Sequence, residues 1–152
     1  MTTIVNGLDE LKALVGKDLG VSEWLEITQE RVNTFADATD DHQWIHVDPE
    51  RAKAGPFGAT IAHGFLTLSL LPSLAGEVYR VDGVRMGINY GLDKVRFPAP
   101  LPTGSRVRAG VELLLADDLG EGWLQLKARV TIEREGTEKP VCVAETLTRL
   151  LL

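Results

Sequence analysis

The sequence predicts an α+β domain in which a long antiparallel sheet wraps around a central apolar helix. Three observations carry this reading. The stretch "GFLTLSLLPSLAG", residues 64–76, is hydrophobic at nearly every position regardless of face, and a helix with no polar side must be covered all round. "RVRAGVELLLA" (106–116) and "WLQLKARVTIE" (123–133) alternate apolar with polar residues, as half-buried strands do. Strands with one apolar face need a cover and an apolar helix needs a wrapper, so each supplies what the other lacks.

The elements follow in order. "LDELKALVG" (8–16) spaces its apolar residues for a short amphipathic helix, with Asp9 and Glu10 near its start and Gly16 as its stop. "SEWLEI" (22–27) alternates as a strand. Thr28 then offers an N-cap oxygen to "QERVNTFADAT", whose Val32, Phe35 and Ala36 share one face. Residues 40–48 read as a loop, and Asp48 with Pro49 starts a further short helix that Gly55 and Pro56 end. Pro72 removes a hydrogen bond inside the apolar helix and clashes with the preceding turn, so a break is expected near Leu71.

In the second half, "VRMGINYGLDKVRF" (84–97) reads as one long strand bent or bulged at Gly91. In 106–116 the inward set is Val107, Ala109, Val111, Leu113 and Leu115. In 123–133 it is Leu124, Leu126, Ala128, Val130 and Ile132. "DDLGEG" between them carries hairpin-turn chemistry, and "VCVAETLTRLLL" (141–152) supplies the last strand of a four-stranded meander. No repeat, low-complexity run or linker divides the chain, so residues 1–152 are read as a single domain.

Composition narrows the function. Apolar residues make up 44% and charged residues 25% of the 152, the balance of a soluble globular chain. A net charge of −6 argues against a nucleic-acid partner, which needs clustered lysine and arginine. Cys142 is the only cysteine, which removes an internal disulfide and any thiolate-rich zinc site; in its apolar stretch it reads as a small buried hydrophobe. The N-terminus lacks the pattern of a secretory signal, and 64–76 falls short of the ~20 residues a membrane-spanning helix needs. A cytoplasmic location with no membrane partner is the expectation.

Chemistry concentrates in "DDHQWIHVDPE", residues 40–50. A metal reading would pair His42 with His46 and complete the shell from Asp41, Asp48 and His63. It is disfavoured, because the helical period stops at Thr39, Pro49 follows closely and the general-base glutamate of zinc helices is absent. Asp40 and His42 read as solvated bystanders. Asp41 and His46 can instead work on one water, taking its proton and returning a proton elsewhere. "AHG" (62–64) precedes the apolar helix, so the free N–H of Gly64 at a positive helix end could hold an oxyanion; a packing role for Gly64 is the alternative. His63 reads as a structural histidine bonding nearby backbone.

With these residues in place, the sequence resembles the MaoC-like dehydratases, the hot dog fold family that includes (R)-specific enoyl-CoA hydratases. "FADATDDHQWIHVDPERA" (35–52), "GPFGATIAHGFLTLSLLPSLAG" (55–76) and "VRFPAPLPTGSRV" (95–107) carry the likeness in the family's order. The family runs aspartate, any residue, asparagine, proline, aliphatic residue, histidine, which falls here on "DHQWIH", Asp41 to His46. The family's glycine before the aspartate is Asp40, its asparagine Gln43 and its proline Trp44.

The resemblance implies hydration of a trans-2-enoyl-CoA to the (R)-3-hydroxyacyl-CoA, or the reverse dehydration. Asp41 and His46 would then be the acid/base pair, Gly64 the oxyanion donor, and Ser69 a residue near the substrate. Ser69 also reads as an ordinary helix serine bonding back to a carbonyl. No metal or organic cofactor is implied, since coenzyme A enters with the substrate, and the partner is a second copy joined edge to edge in a homodimer. Two rivals share the fold. One is an acyl-CoA thioesterase, whose acid usually lies on the central helix, where Phe65 to Ala75 holds none. The other is a non-catalytic acyl-binding subunit, in which loss of the Asp and His pair would be expected.

Overall fold

The computed structural model describes residues 1–152. In chain order the elements are β1 (Thr3–Asn6), α1 (Gly7–Leu14), β2 (Asp18–Val21), β3 (Leu25–Glu26), α2 (Gln29–Thr39), α3 (Trp44–Val47), α4 (Pro49–Lys53), α5 (Gly64–Ser69) and α6 (Leu71–Val78). They continue with β4 (Tyr79–Asp82), β5 (Met86–Arg96), β6 (Arg106–Gly120), β7 (Trp123–Arg134) and β8 (Cys142–Leu151).

The large sheet is antiparallel in the order β2-β6-β7-β8-β5, with β3 also pairing β6. It curls around α5 and α6, the wrapped-helix arrangement expected of a hot dog fold. The apolar helix breaks where predicted: α5 ends on Leu70, and Pro72 sits in the first turn of α6, where its missing N–H has no partner to lose. Leu66, Leu70, Leu71, Leu74 and Val78 pack on the inner residues Val107, Ala109, Val111, Ala128, Val130 and Ile132 in one core.

Expectation and structure differ in strand order and in several local details. The strands β6, β7 and β8 form a meander, but β5 pairs β8 instead of its sequence neighbour β6. The connection from β5 to β6 holds Pro98, Pro100 and Pro102, whose fixed φ and absent donors suit a crossing segment and not a tight hairpin. Inward alternation along β6 holds to Leu113, then a bulge between Leu113 and Leu115 moves the next buried position from Leu115 to Ala116. The strand expected over 22–27 shrinks to β3, Leu25–Glu26, and a separate strand β2 ends just before it; between them the Ser22 hydroxyl accepts from the Ala109 N–H at 2.9 Å, where a main-chain carbonyl would sit in a regular ladder. An unexpected parallel pair, β1 with β4, closes the end of α6.

Other local signals hold. Glu121 and Gly122, both at positive φ (57° and 84°), form the two-residue hairpin turn between β6 and β7. Thr28 and Asp48 cap α2 and α4, accepting from the N–H groups of Arg31 and Arg51 at 3.1 Å each. β5 carries two register shifts, between Asn89 and Gly91 and between Leu92 and Lys94, in place of the one bend expected at Gly91.

The helix pair is not covered all round. Phe65, Leu68, Ser69, Pro72 and Gly76 face a cavity of about 930 Å³ that separates the helices from β5 and the adjoining part of β8. No helix of the chain is long and apolar enough to cross a membrane.

Leu74, 1% exposed, is held between α6 and the sheet. Leu74→Ala is expected to cost about 2–5 kcal/mol of unfolding free energy, read by chemical denaturation. Burial pushes the Cys142 thiol up to about 11. At pH 8 native protein should therefore resist alkylation by iodoacetamide and react once unfolded, as mass spectrometry will report.

Candidate active site

The site begins where α2 ends. Asp40 closes that helix in the left-handed conformation, φ 59° and ψ 24°, so the position that resembles a family glycine demands a glycine-like backbone. Aspartate tolerates that region better than most side chains. The turn points Asp41 back toward the helix start at residue 64. The Asp41 carboxylate is exposed and receives the Gln43 N–H at the long distance of 3.5 Å.

Residues 44–47, expected as loop, make the single helical turn α3. This turn buries His46 to 7% exposure and docks it on the strand-like segment before α5. The Ile61 N–H donates to the Ile45 carbonyl at 3.0 Å, and His46 Nδ1 lies 2.7 Å from the Ile61 carbonyl. A carbonyl only accepts, so Nδ1 carries the hydrogen and Nε2 of neutral His46 presents a lone pair. Gln29 holds the same turn from below: its Nε2 donates to the His46 carbonyl at 2.8 Å, and its Oε1 accepts from Thr60, which pairs with Thr103.

His63 completes the cluster. It is 3% exposed and its ring stacks on His46, centroids 3.8 Å apart and planes 23° from parallel. Phe35 of α2 leans on it as well, at 4.9 Å. His63 Nε2 donates to the Asp41 main-chain carbonyl at 3.0 Å, while buried Nδ1 finds no partner. An unmet buried acceptor of this kind costs about 1–3 kcal/mol.

One ligating atom from each of Asp41, His46 and His63 lies within 4.8 Å of the other two. The cluster differs from the metal set weighed from the sequence, since His42 turns away to Asp37 at 2.8 Å and Asp48 caps α4. It also suits an ion poorly. Metals bind imidazole in the ring plane at ~2.0–2.1 Å, and two nearly parallel stacked rings share no point at that range in both planes. Proton transfer asks only for neighbouring lone pairs and a carboxylate, which the cluster has.

Gly64 is the first residue of α5, so its N–H has no intrahelical acceptor. Packing also bears on it: a Cβ there would lie 3.2 Å from the Phe97 ring. The packing reading of this glycine therefore holds, and its N–H is left without an intrahelical partner. Ser69 donates its hydroxyl to the Leu66 carbonyl at 2.7 Å, as an ordinary helix serine does, yet it also borders the cavity. Asp41, His46 and Gly64 are not among the cavity walls, so the structure groups Asp41, His46 and Gly64 at one end of α5 and Ser69 further along it. The helix pair runs past Ala75 to Val78 and so acquires one acid, Glu77, which is exposed and turned away from the cavity.

Trp44 and Gln43, where the loop departs from the family pattern, also find their places. The Trp44 ring receives the Arg51 guanidinium at 4.3 Å and packs over Gly55, where a Cβ would meet the ring at 3.2 Å. Gln43 caps α3 through its main chain, its carbonyl accepting from the His46 N–H at 3.0 Å. The grouping of Gln29, Thr60 and Thr103 is not readable from sequence spacing, since 31 residues separate Gln29 from Thr60 and 43 separate Thr60 from Thr103.

The chain has known relatives in both sequence and fold. The family model described as MaoC like domain matches residues 10–133. The chain is 61% identical over 140 residues to 3-hydroxyacyl-thioester dehydratase Z of Mycobacterium tuberculosis (strain ATCC 25618 / H37Rv), covering 92% of this chain and 93% of that one. Among solved structures, Monoamine oxidase regulatory protein from Archaeoglobus fulgius superposes with a TM-score of 0.78 at 25% identity, covering 99% of this chain and 97% of that one. The (R)-hydratase from A. caviae involved in PHA biosynthesis gives 0.69 at 25% identity, covering 88% and 94%.

The backbone at Asp40 yields a test. Asp40→Gly should leave stability within about 1 kcal/mol, since relief at positive φ offsets the greater freedom of the unfolded chain. Asp40→Val should cost about 1–2 kcal/mol, because a branched side chain meets the left-handed region badly. Thermal unfolding of the two variants separates these outcomes.

Proposed function

The chain belongs to the MaoC-like domain family, and from that premise we propose that it interconverts trans-2-enoyl and (R)-3-hydroxyacyl thioesters by adding or removing water. The observation that carries the proposal is the Asp41–His46 grouping, in which Ile61 holds the imidazole with its Nε2 lone pair free. In the hydration direction His46 Nε2 and the Asp41 carboxylate hold one water. The pair takes a proton from it as its oxygen bonds to the third carbon and the double bond breaks, and the pair returns a proton to the second carbon. Negative charge builds on the thioester oxygen as the double bond moves, and the Gly64 N–H faces that oxygen. Dehydration runs the same steps backward.

The chemistry needs no metal or organic cofactor, and coenzyme A or a carrier-bound pantetheine enters as part of the substrate. The apolar walls of the 930 Å³ cavity, with Ser69 on its border, suit the acyl chain. The whole chain, 1–152, works as one hot dog domain, and two copies join along β5, where Met86, Ile88, Tyr90 and Leu92 stand exposed. A reducing cytoplasm and a role in fatty-acid metabolism fit a thioester enzyme with one buried thiol. The thioesterase alternative is weaker, because Glu77 lies outside the cavity. The non-catalytic subunit is weaker too, because Asp41 and His46 are both present and grouped.

The test uses crotonyl-CoA and longer enoyl-CoAs, with loss of conjugated thioester absorbance as the signal and chiral analysis of the product. Wild type should give (R) product. Asp41→Asn and His46→Gln should each lose roughly 10²–10⁴-fold in kcat with the fold retained. Unchanged turnover in either variant would remove that residue from the chemistry, and free coenzyme A in place of a hydroxyacyl product would favour the thioesterase.

A further inference from the structure

Resting on the functional reading above, we propose that His63 is a positioning residue that sets both members of the Asp41–His46 pair. Two contacts from one side chain reach the two groups. The Nε2–H holds the main-chain carbonyl of Asp41 at 3.0 Å, and the ring face holds the His46 imidazole at 3.8 Å. No direct hydrogen bond joins Asp41 to His46, so their relative placement passes through the elements that carry them and through this ring.

The side chain has little freedom of its own. His63 is the N-cap residue of α5, its carbonyl accepts the Thr67 N–H at 3.2 Å, and Phe35 presses on its ring. Anchorage at the start of the apolar helix therefore fixes the ring against the core, and the ring in turn fixes the exposed Asp41 turn and His46. Movement of either by 1 Å would spoil alignment with a shared water.

The orphan nitrogen points the same way. A phenyl ring would fill this site without burying an unpaired acceptor, whereas the imidazole buries Nδ1 with no partner. What the imidazole adds over phenyl is the Nε2–H, and its acceptor is the residue that carries the proposed carboxylate. The bond also defines the tautomer: a carbonyl accepts only from N–H, so His63 holds its hydrogen on Nε2 and His46 holds its own on Nδ1.

Two variants of the full chain and one spectrum test the inference. His63→Phe keeps the stacked ring and removes the donor; kcat for enoyl-CoA hydration should fall roughly 10- to 100-fold, with KM within about threefold and the thermal midpoint no lower than wild type. His63→Gln sets an amide N–H near the lost Nε2–H and should recover about fivefold or more of that kcat. Wild-type kcat in His63→Phe overturns the inference. So does an equal loss in both variants with a lowered midpoint, the mark of a merely structural residue. Imidazole nitrogen NMR judges it without turnover: the Nε2–H form of His63 beside the Nδ1–H form of His46 is expected, and a Nδ1–H form of His63 overturns it. Wild type that hydrates no enoyl thioester would sink the functional reading alone, because the tautomers are read independently of activity.

Discussion

An apolar helix that cannot face water is the constraint on which the rest of the molecule depends. From residue 64 to 76 hardly a position offers a polar side, and burying it requires more surface than any neighbouring helix provides. The sheet meets most of the demand: β6, β7 and β8 bring their inner residues against Leu66, Leu70, Leu71 and Leu74. Transfer of such side chains from water is worth about 1.5–3 kcal/mol each. The helix pair is thereby anchored in the core, and its first turn is a fixed place from which to present chemistry.

The uncovered remainder is equally informative. On the side of Phe65, Leu68 and Pro72 the sheet stands away and leaves a cavity walled mainly by apolar residues. Apolar walls gathered in one concave place on this scale mark a surface suited to an apolar ligand. Core contact and open cavity thus lie on different faces of one helix pair, and the polar cluster sits at that pair's N-terminal end.

Three segments distant in sequence converge on that end. Residues 35–52 contribute Phe35, Asp41 and His46; residues 60–64 contribute the Ile61 carbonyl, His63 and Gly64; residues 97–103 contribute Phe97 and Thr103. The middle segment is the hub. Its Ile61 bonds Ile45 and His46 on one side, while its Ala62 N–H reaches the Leu101 carbonyl at 2.8 Å on the other. These are the stretches that carry the family resemblance, and their joint role at one site gives that likeness a physical content.

By itself the sequence determined the α+β class, the broken apolar helix, the caps at Thr28 and Asp48, the hairpin at Glu121–Gly122, and the singling out of Asp41 and His46. Each of these is local: period, cap chemistry and turn propensity act within a few residues. The tertiary structure decided what no local rule reaches. It moved β5 beside β8, shifted the inward face of β6 to Ala116, opened one side of the helix pair, and stacked His63 on His46 while His42 turned to Asp37. Strand order and residue grouping depend on where a crossing segment lands and which faces remain to be covered. Packing alone therefore set His63 against His46 across the intervening chain while the nearer His42 points elsewhere.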